Sequence, residues 1–460
     1  MIRRVLTILG YIVATLVVAS GTVLLIAYGN GYTYDLQTGH LVHRGLIIID
    51  STPSTNQITL NGKPVSQGTP YRQEFRAGWY NFTLSKSGYR TWSKRVQSIP
   101  SVATLVDYVL LLPQHFSVDS LAARTAISQF VASRDHRHIA FVVPSGSDAG
   151  VWSLDTSSHQ ETELYPSAVA TAVAPAETDT FLAWDTDNSR VLIKSQIGST
   201  VSLLVVPTSG GGAPINVTAT FDVDSGSLTF NPNNTHQLYW QSPDGLRLID
   251  LNSQTVSAPI ATNVSTFSFA GSRIIYVGVG HQRAALWVMD SDGDNKQELV
   301  SKLPTSISYE LAYATYLGTP EIAVVNQSAH QVTLYNNAYS QPQAQLLPAS
   351  ATDAVFNGDG RFLLLSDASH VATYDLQLNT TYTLPPSNST VTGLSWFDNY
   401  HLVFNRSGSI VLSEFDGNYA TVITHANALP PYSSSDGKSV FAASTTSTGT
   451  TLIKAITIRQ

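Results

Sequence analysis

One pattern governs what this chain can fold into: from about His115 onward, a polar turn followed by an apolar strand keeps returning. The copies are RDHRHIAFVV, ETDTFLAW, NPNNTHQLYW, FAGSRIIYVG, LGTPEIAVV, GDGRFLLLS, FDNYHLVF and SDGKSVFAAS. Behind most of them a second strand runs into another polar turn, as in VWSLDTSS, LRLIDLNS, LWVMDSDGDN, VATYDLQLN and IVLSEFDGN. The copies stand about 36 to 56 residues apart, the length of a four-stranded propeller blade. A lone blade cannot bury both faces, so blades must stack around an axis. A β-propeller over residues 115–460 is therefore expected, with eight blades favoured and seven possible. The last copy ends at ITIRQ without an outer strand. A strand from the region 116–127 is expected to complete that sheet and remove an exposed edge.

Composition agrees with an all-β chain. Only 12% of the 460 residues are charged and 43% are apolar, which suits many short strands and poorly suits long solvated helices. A net charge of -7 leaves no basic surface to hold a phosphate backbone, so no nucleic-acid partner is expected. The chain contains no cysteine, which excludes disulfides, thiolate metal sites and cysteine nucleophiles.

The N-terminus is different. Met1-Ile2-Arg3-Arg4 precedes an uncharged run from Val5 to Tyr28, long enough to cross a hydrocarbon core of about 30 Å. A cleaved signal peptide is the other reading, with Ala19-Ser20-Gly21 as small residues of the right kind. The apolar run continues through Val23-Leu24-Leu25-Ile26, past the length of a signal core, which favours an uncleaved anchor. Arg3 and Arg4 have no basic counterpart after the span until Arg44. The expectation is a single-pass plasma-membrane protein with its N-terminus cytoplasmic and its bulk outside. Residues 1–29 then form the cytoplasmic tip and anchor, and 30–44 a stalk.

Between stalk and repeats lies DSTPSTNQITLNGKPVSQGTP, where Ile58, Leu60 and Val65 alternate with polar residues. Asn61-Gly62 supplies the two positive-φ positions of a tight hairpin, and Gly68-Thr69-Pro70 ends the following strand. The order Ser51, Pro53, LNGKP, Gly68-Thr69-Pro70 and AGWYNFTLSKSGY, with Gly78 before a strand and Gly88-Tyr89 after it, resembles a PEGA-type domain. That resemblance implies a small β-sandwich over residues 45–114, an envelope-associated binding or spacer module, and brings no catalytic residues. At the motif that names the family, Pro53-Ser54-Thr55-Asn56 stands in place of Pro-Glu-Gly-Ala. The repeats resemble the TolB type of propeller unit, best at Asp359-Gly360-Arg361, Asp436-Gly437-Lys438 and LWVMDSDGDN.

Candidate chemistry is sparse. Trp79 and Trp92 could belong to a sugar-stacking platform, although a small domain more often spends its aromatics on its core. Asp290, Asp292 and Asp294 have the spacing of the first ligands of a calcium loop, but Asn295 and Ser301 stand where such a loop needs Gly and Glu, which favours a hairpin turn. Asp135-His136-Arg137-His138 is read as surface. No nucleophile elbow, phosphate loop or zinc-protease helix occurs, and nothing calls for a cofactor. Three classes remain: a membrane-anchored, non-catalytic binding or scaffold protein whose partner is an envelope protein or glycan; a propeller hydrolase or lyase whose residues converge from several loops; and a spacer without a ligand. The first is favoured.

Overall fold

Ile2–Gly29 forms one continuous α-helix in the computed structural model, which describes residues 2–29, 32–35, 39–168, 175–280, 283–304, 306, 308–384, 391–427 and 429–459. Its Leu9–Gly29 stretch is 21 residues long, apolar, and buried against nothing. Three aliphatic hydroxyls inside it return to its own backbone: Thr15 donates to the Tyr11 carbonyl at 2.9 Å, Ser20 to Leu16 at 2.7 Å and Thr22 to Val18 at 2.9 Å. These three side chains are thus satisfied without water.

The chain divides into two compact units, Met1–Phe116 with Ile458–Gln460, and Ser117–Thr457. Besides the helix, the first holds two four-stranded sheets among the described residues. His40–Thr52 is the centre of one, flanked by Tyr71–Arg76 and, in parallel, by Ala103–Leu110. Tyr32–Asp35 extends that sheet by pairing with the start of His40–Thr52, and the Tyr32 ring stacks on His43 at 4.1 Å. The segment expected as a stalk therefore contributes a paired strand; residues 30, 31 and 36–38 lie outside the described residues. The other sheet joins Lys63–Pro64, Gln57–Leu60, Gly78–Ser85 and Trp92–Ser98. Ile47, Ile49, Ile58, Tyr71, Phe75, Phe82, Leu84, Trp92 and Val106 fill the space between them.

The turn chemistry follows the sequence. Asn61 and Gly62 have φ of 49° and 80°, and the hairpin pairs Leu60 with Lys63. Gly68 is needed for another reason: a Cβ there would lie 2.6 Å from the Thr55 carbonyl oxygen. Close backbone approach, not a left-handed φ, fixes that glycine.

The second unit holds eight four-stranded sheets among the described residues, and they fit a β-propeller. Seven are continuous in sequence, at 129–166, 177–216, 227–256, 264–303, 309–350, 353–383 and 391–425; the eighth combines 432–457 with Val118–Arg124. That last strand pairs antiparallel with Thr451–Thr457, inside the region expected to close the ring. First strands of neighbouring sheets lie against one another, which places them innermost.

Packing explains why the second strand of each sheet is so apolar. In the second sheet Val191 and Ile193 face the first sheet while Leu192 faces the third. Both faces are buried, so alternation disappears from the sequence. Equivalent clusters join the third to fourth, fourth to fifth, fifth to sixth and sixth to seventh sheets. Phe130, Phe141, Phe441 and Ile453 join the first to the eighth. Amide side chains staple neighbouring sheets as well, including the seventh to the segment that leads into the eighth. Gln129 receives the Phe181 N–H at 2.7 Å, Gln241 donates to the Ser265 carbonyl at 2.9 Å, and Asn405 donates to the Leu429 carbonyl at 3.1 Å.

One repeat sits differently from its expected place. ETDTFLAW forms the first strand of its sheet, Glu177–Trp184, whereas the other quoted copies form second strands. The true counterpart is Arg190–Ile197, introduced by the turn Asp185 to Ser189. The wide spacing after this unit accommodates the short helix Val217–Phe221, capped by Asn216, whose Oδ1 accepts the Ala219 N–H at 3.0 Å.

Candidate functional site

The repeat acids have structural work. Asp155 Oδ1 accepts the N–H groups of Ser157 and Ser158, both at 2.8 Å, and Asp250 Oδ1 those of Asn252 and Ser253 at 3.0 and 2.9 Å. These backbone bonds hold both carboxyls below the usual carboxylate range. Asp359 and Asp436 each accept the N–H two residues on, at 3.0 Å. Arg361 then bonds Asp375 in a fork at 3.2 and 2.7 Å, with Asp375 fully buried.

The three aspartates with calcium-loop spacing behave in the same way. Asp290 meets Arg273 at 3.4 Å and accepts from Asn295 at 2.6 Å, while Asp292 caps the Asp294 N–H at 3.0 Å. The stretch is a hairpin turn, and among the described residues no group of three or more metal-capable side chains occurs. His136 is less superficial than its setting suggested. Its Nδ1 contacts the Ser433 carbonyl at 2.6 Å and hydroxyl at 2.9 Å, tying the first sheet to the eighth.

The two tryptophans separate cleanly. Trp92 is 2% exposed in the sandwich core and has no surface to offer a ligand. Trp79 is 51% exposed, with the Arg95 guanidinium 5.0 Å above its ring.

Two arrangements remain that sequence reading did not assemble. The first is an open pocket of about 500 Å³ lined by Ser54, Thr55, Asn56, Gln57, Gly68, Thr69, Lys86 and Ser87. It forms where Pro53-Ser54-Thr55-Asn56 stands in the family's naming turn. Thr69 is its fixed wall: its Oγ1 accepts the Thr55 N–H at 2.9 Å and shares a bond with Ser51 Oγ at 2.9 Å. Lys86 Nζ donates to the Ser54 carbonyl at 2.8 Å, which brings its ammonium to the rim. Hydroxyls, two amides and one cation can hydrogen-bond a hydroxyl-rich or carboxylate-bearing ligand. Pro53, Pro70, Gly88 and Tyr89 sit nearby in turns; the Tyr89 N–H reaches the Lys86 carbonyl at 3.0 Å, and Gly88 accepts the Gln114 N–H at 2.9 Å. Gly78 lies at the other end of its strand, opposite Ser98.

The second is a carboxylate pair, Glu177 and Asp179, alternating on an innermost strand with Phe181 beneath them. Glu177 receives the Tyr165 hydroxyl at 2.8 Å, the Ala168 N–H at 2.7 Å and the Ser195 hydroxyl. Asp179 receives the Ser167 hydroxyl through one oxygen, and its other oxygen is buried with no partner among the described residues. Burial first, and the neighbouring Glu177 charge second, push Asp179 up to about 6.

Comparison with known proteins gives one family match and a set of structural likenesses. The family described as PEGA domain matches residues 44–110. No curated protein matches the chain. Among solved structures, the chain resembles Porphyromonas gingivalis dipeptidyl peptidase 4 at 10% identity, covering 72% of this chain and 58% of that one, with a TM-score of 0.46. It also resembles an oligogalacturonate lyase from Vibrio parahaemolyticus at 12% identity, covering 76% and 94%, with a TM-score of 0.41. Kluyveromyces lactis Hsv2 is similar at 10% identity, covering 73% and 98%, with a TM-score of 0.42.

Proposed function

We propose that this protein is a membrane-anchored, extracytoplasmic binding protein of the cell envelope, in which the helix fixes two β-units at one membrane and the chain performs no chemistry on its partner. The observation that carries this reading is the Leu9–Gly29 helix, 21 residues long, apolar, unburied, and with its Thr15, Ser20 and Thr22 hydroxyls closed on its own carbonyls. We take each of the eight sheets as one blade, with boundaries at 29, 44 and 114 between anchor, hairpin segment, sandwich and propeller. The bound partner is an envelope glycan or protein, and the polar pocket around Thr69 and Lys86 is the contact we favour for it. A charge reversal, Lys86→Glu, tests this in envelope pull-downs with the full chain. Capture should fall about tenfold while the melt is retained, since a lost charge-assisted bond is worth roughly 1.5 to 3 kcal/mol. Unchanged capture would remove the pocket from the reading.

A second reading is favoured by Asp179, an acid poised for proton exchange beside a carboxylate. Under it the propeller is a hydrolase or lyase on an envelope substrate. Turnover of a glycan, peptide or ester by the purified chain, lost in Asp179→Asn with an intact melt, would replace the first reading.

A further inference from the structure

We infer that one end of the sandwich docks into the headgroup layer of the bilayer that holds the helix, through the loop Ile99–Val102 with Trp79 and Arg76 beside it; this rests on the anchor reading above. The covalent path sets the distance. Gly29 ends the helix, and Tyr32, three residues later, pairs with His43, so His43 lies within about 16 Å of the helix end. From there the loop is tied in directly. His43 Nε2 meets Ser101 Oγ at 3.2 Å, the Ser101 N–H donates to the Arg44 carbonyl at 3.0 Å, and the Leu46 N–H donates to the Val102 carbonyl at 3.0 Å. The Ala77 N–H donates to the His43 carbonyl at 3.3 Å, which brings the start of Gly78–Ser85 to the same end.

The side chains gathered there suit a lipid surface. Ile99 and Val102 are 42% and 46% exposed, which leaves two aliphatic side chains open to solvent on this loop. Trp79 stands next along, its amphipathic ring of the kind enriched at membrane interfaces. Arg44 and Arg76 are direct cross-strand partners, and Arg95 lies over Trp79. Glu74, opposite Leu46, is the nearest carboxylate on these strands. Aliphatic tips flanked by arginines bind acyl chains and anionic phosphates together. The opposite end, around Ser54, Ser87 and Gly88, has cations in Lys86 and Arg90 but none of the exposed aliphatic or tryptophan side chains, and it lies at the far end of the Gly78–Ser85 strand.

The absence of cysteine makes the test direct. Single variants Val102→Cys, Ser87→Cys and Leu16→Cys of the full chain, each carrying an environment-sensitive fluorophore, are reconstituted in nanodiscs with and without nitroxide-labelled lipid. The probe at 102 should emit blue-shifted and be quenched, the probe at 87 should behave as in water, and the probe at 16 should be quenched most. Quenching at 102 should be about twofold stronger with phosphatidylglycerol present than in phosphatidylcholine alone, and Arg76→Glu should abolish that difference. Water-like behaviour at 102 with quenching at 16 overturns the docking and leaves the anchor standing. An unquenched probe at 16 overturns the anchor, and the docking with it.

Discussion

Two tryptophans thirteen positions apart show how little a residue type says without its partners. Trp92 lies in the core against Phe82 and Leu84, so Trp92→Ala should cost roughly 3 to 5 kcal/mol and unfold the small domain. Trp79→Ala, on the surface, should leave the melt within about 0.5 kcal/mol. Calorimetry on the two variants separates them. Carboxylates divide in the same way. Asp155 and Asp250 are held low by backbone N–H groups, whereas Asp179, Asp185 and Glu321 are pushed up by burial, to about 6, 6 and 7. An acid whose folded pKa exceeds its unfolded value holds its proton more tightly when folded, so its contribution falls as pH rises through that interval. Thermal stability of the second unit should therefore be higher near pH 5 than near pH 7. Asp179→Asn should flatten the slope between about pH 4 and 6 by about 2 to 3 kcal/mol over the interval. A melt that rises steadily from pH 5 to 7 would contradict this.

At the scale of strands and sheets, sequence periodicity carried most of the architecture because second strands are buried on both faces. Their continuous apolar runs, FVV, LLL and IIYV, stand out against polar turns. Third strands were legible where an Asp closes the following turn, as at Asp155, Asp250 and Asp375. Where no such Asp exists, as in Thr200–Pro207 and Gln331–Asn336, nothing marked them. ETDTFLAW was misplaced because Phe181 and Trp184 lend an innermost strand the look of a second one, and the turn at Asp187-Asn188 lacks glycine. The pocket stayed hidden for a different reason. Its walls come from three segments, around Thr55, Thr69 and Lys86, brought together by hydrogen bonds that no spacing announces. The closing strand is the element on which the ring depends most. Ala122 is buried in Val118–Arg124 and faces Ile453, so Ala122→Pro removes a ladder bond and forces the strand from its partner. We expect a loss of about 3 kcal/mol or more, and self-association through the uncovered edge of Thr451–Thr457, visible by light scattering. A monomeric variant with the parent melt would show that closure contributes little.

For the whole molecule the decisive asymmetry is electrostatic and lies at the two ends of one helix. Arg3 and Arg4 precede the apolar run, and the next basic residue in the chain is Arg44. Positive charge is retained on the cytoplasmic side during insertion, so under the proposed anchor the short basic end stays in and both β-units go out. Protease added to intact cells, with any outer layer permeabilised, should therefore degrade everything beyond about residue 40 and spare a small fragment containing the helix. Replacing both arginines by glutamate and placing lysines just after Gly29 should reverse the charge difference and protect the β-units. The same swap provides an internal check on the lipid docking. An inverted chain would present Ile99 and Val102 to the cytoplasmic leaflet, and because that leaflet is the more anionic one, quenching at position 102 should persist after inversion. Full protection of the unmodified chain in intact cells, with digestion confined to inverted vesicles, would reverse the orientation and move every proposed partner to the cytoplasm.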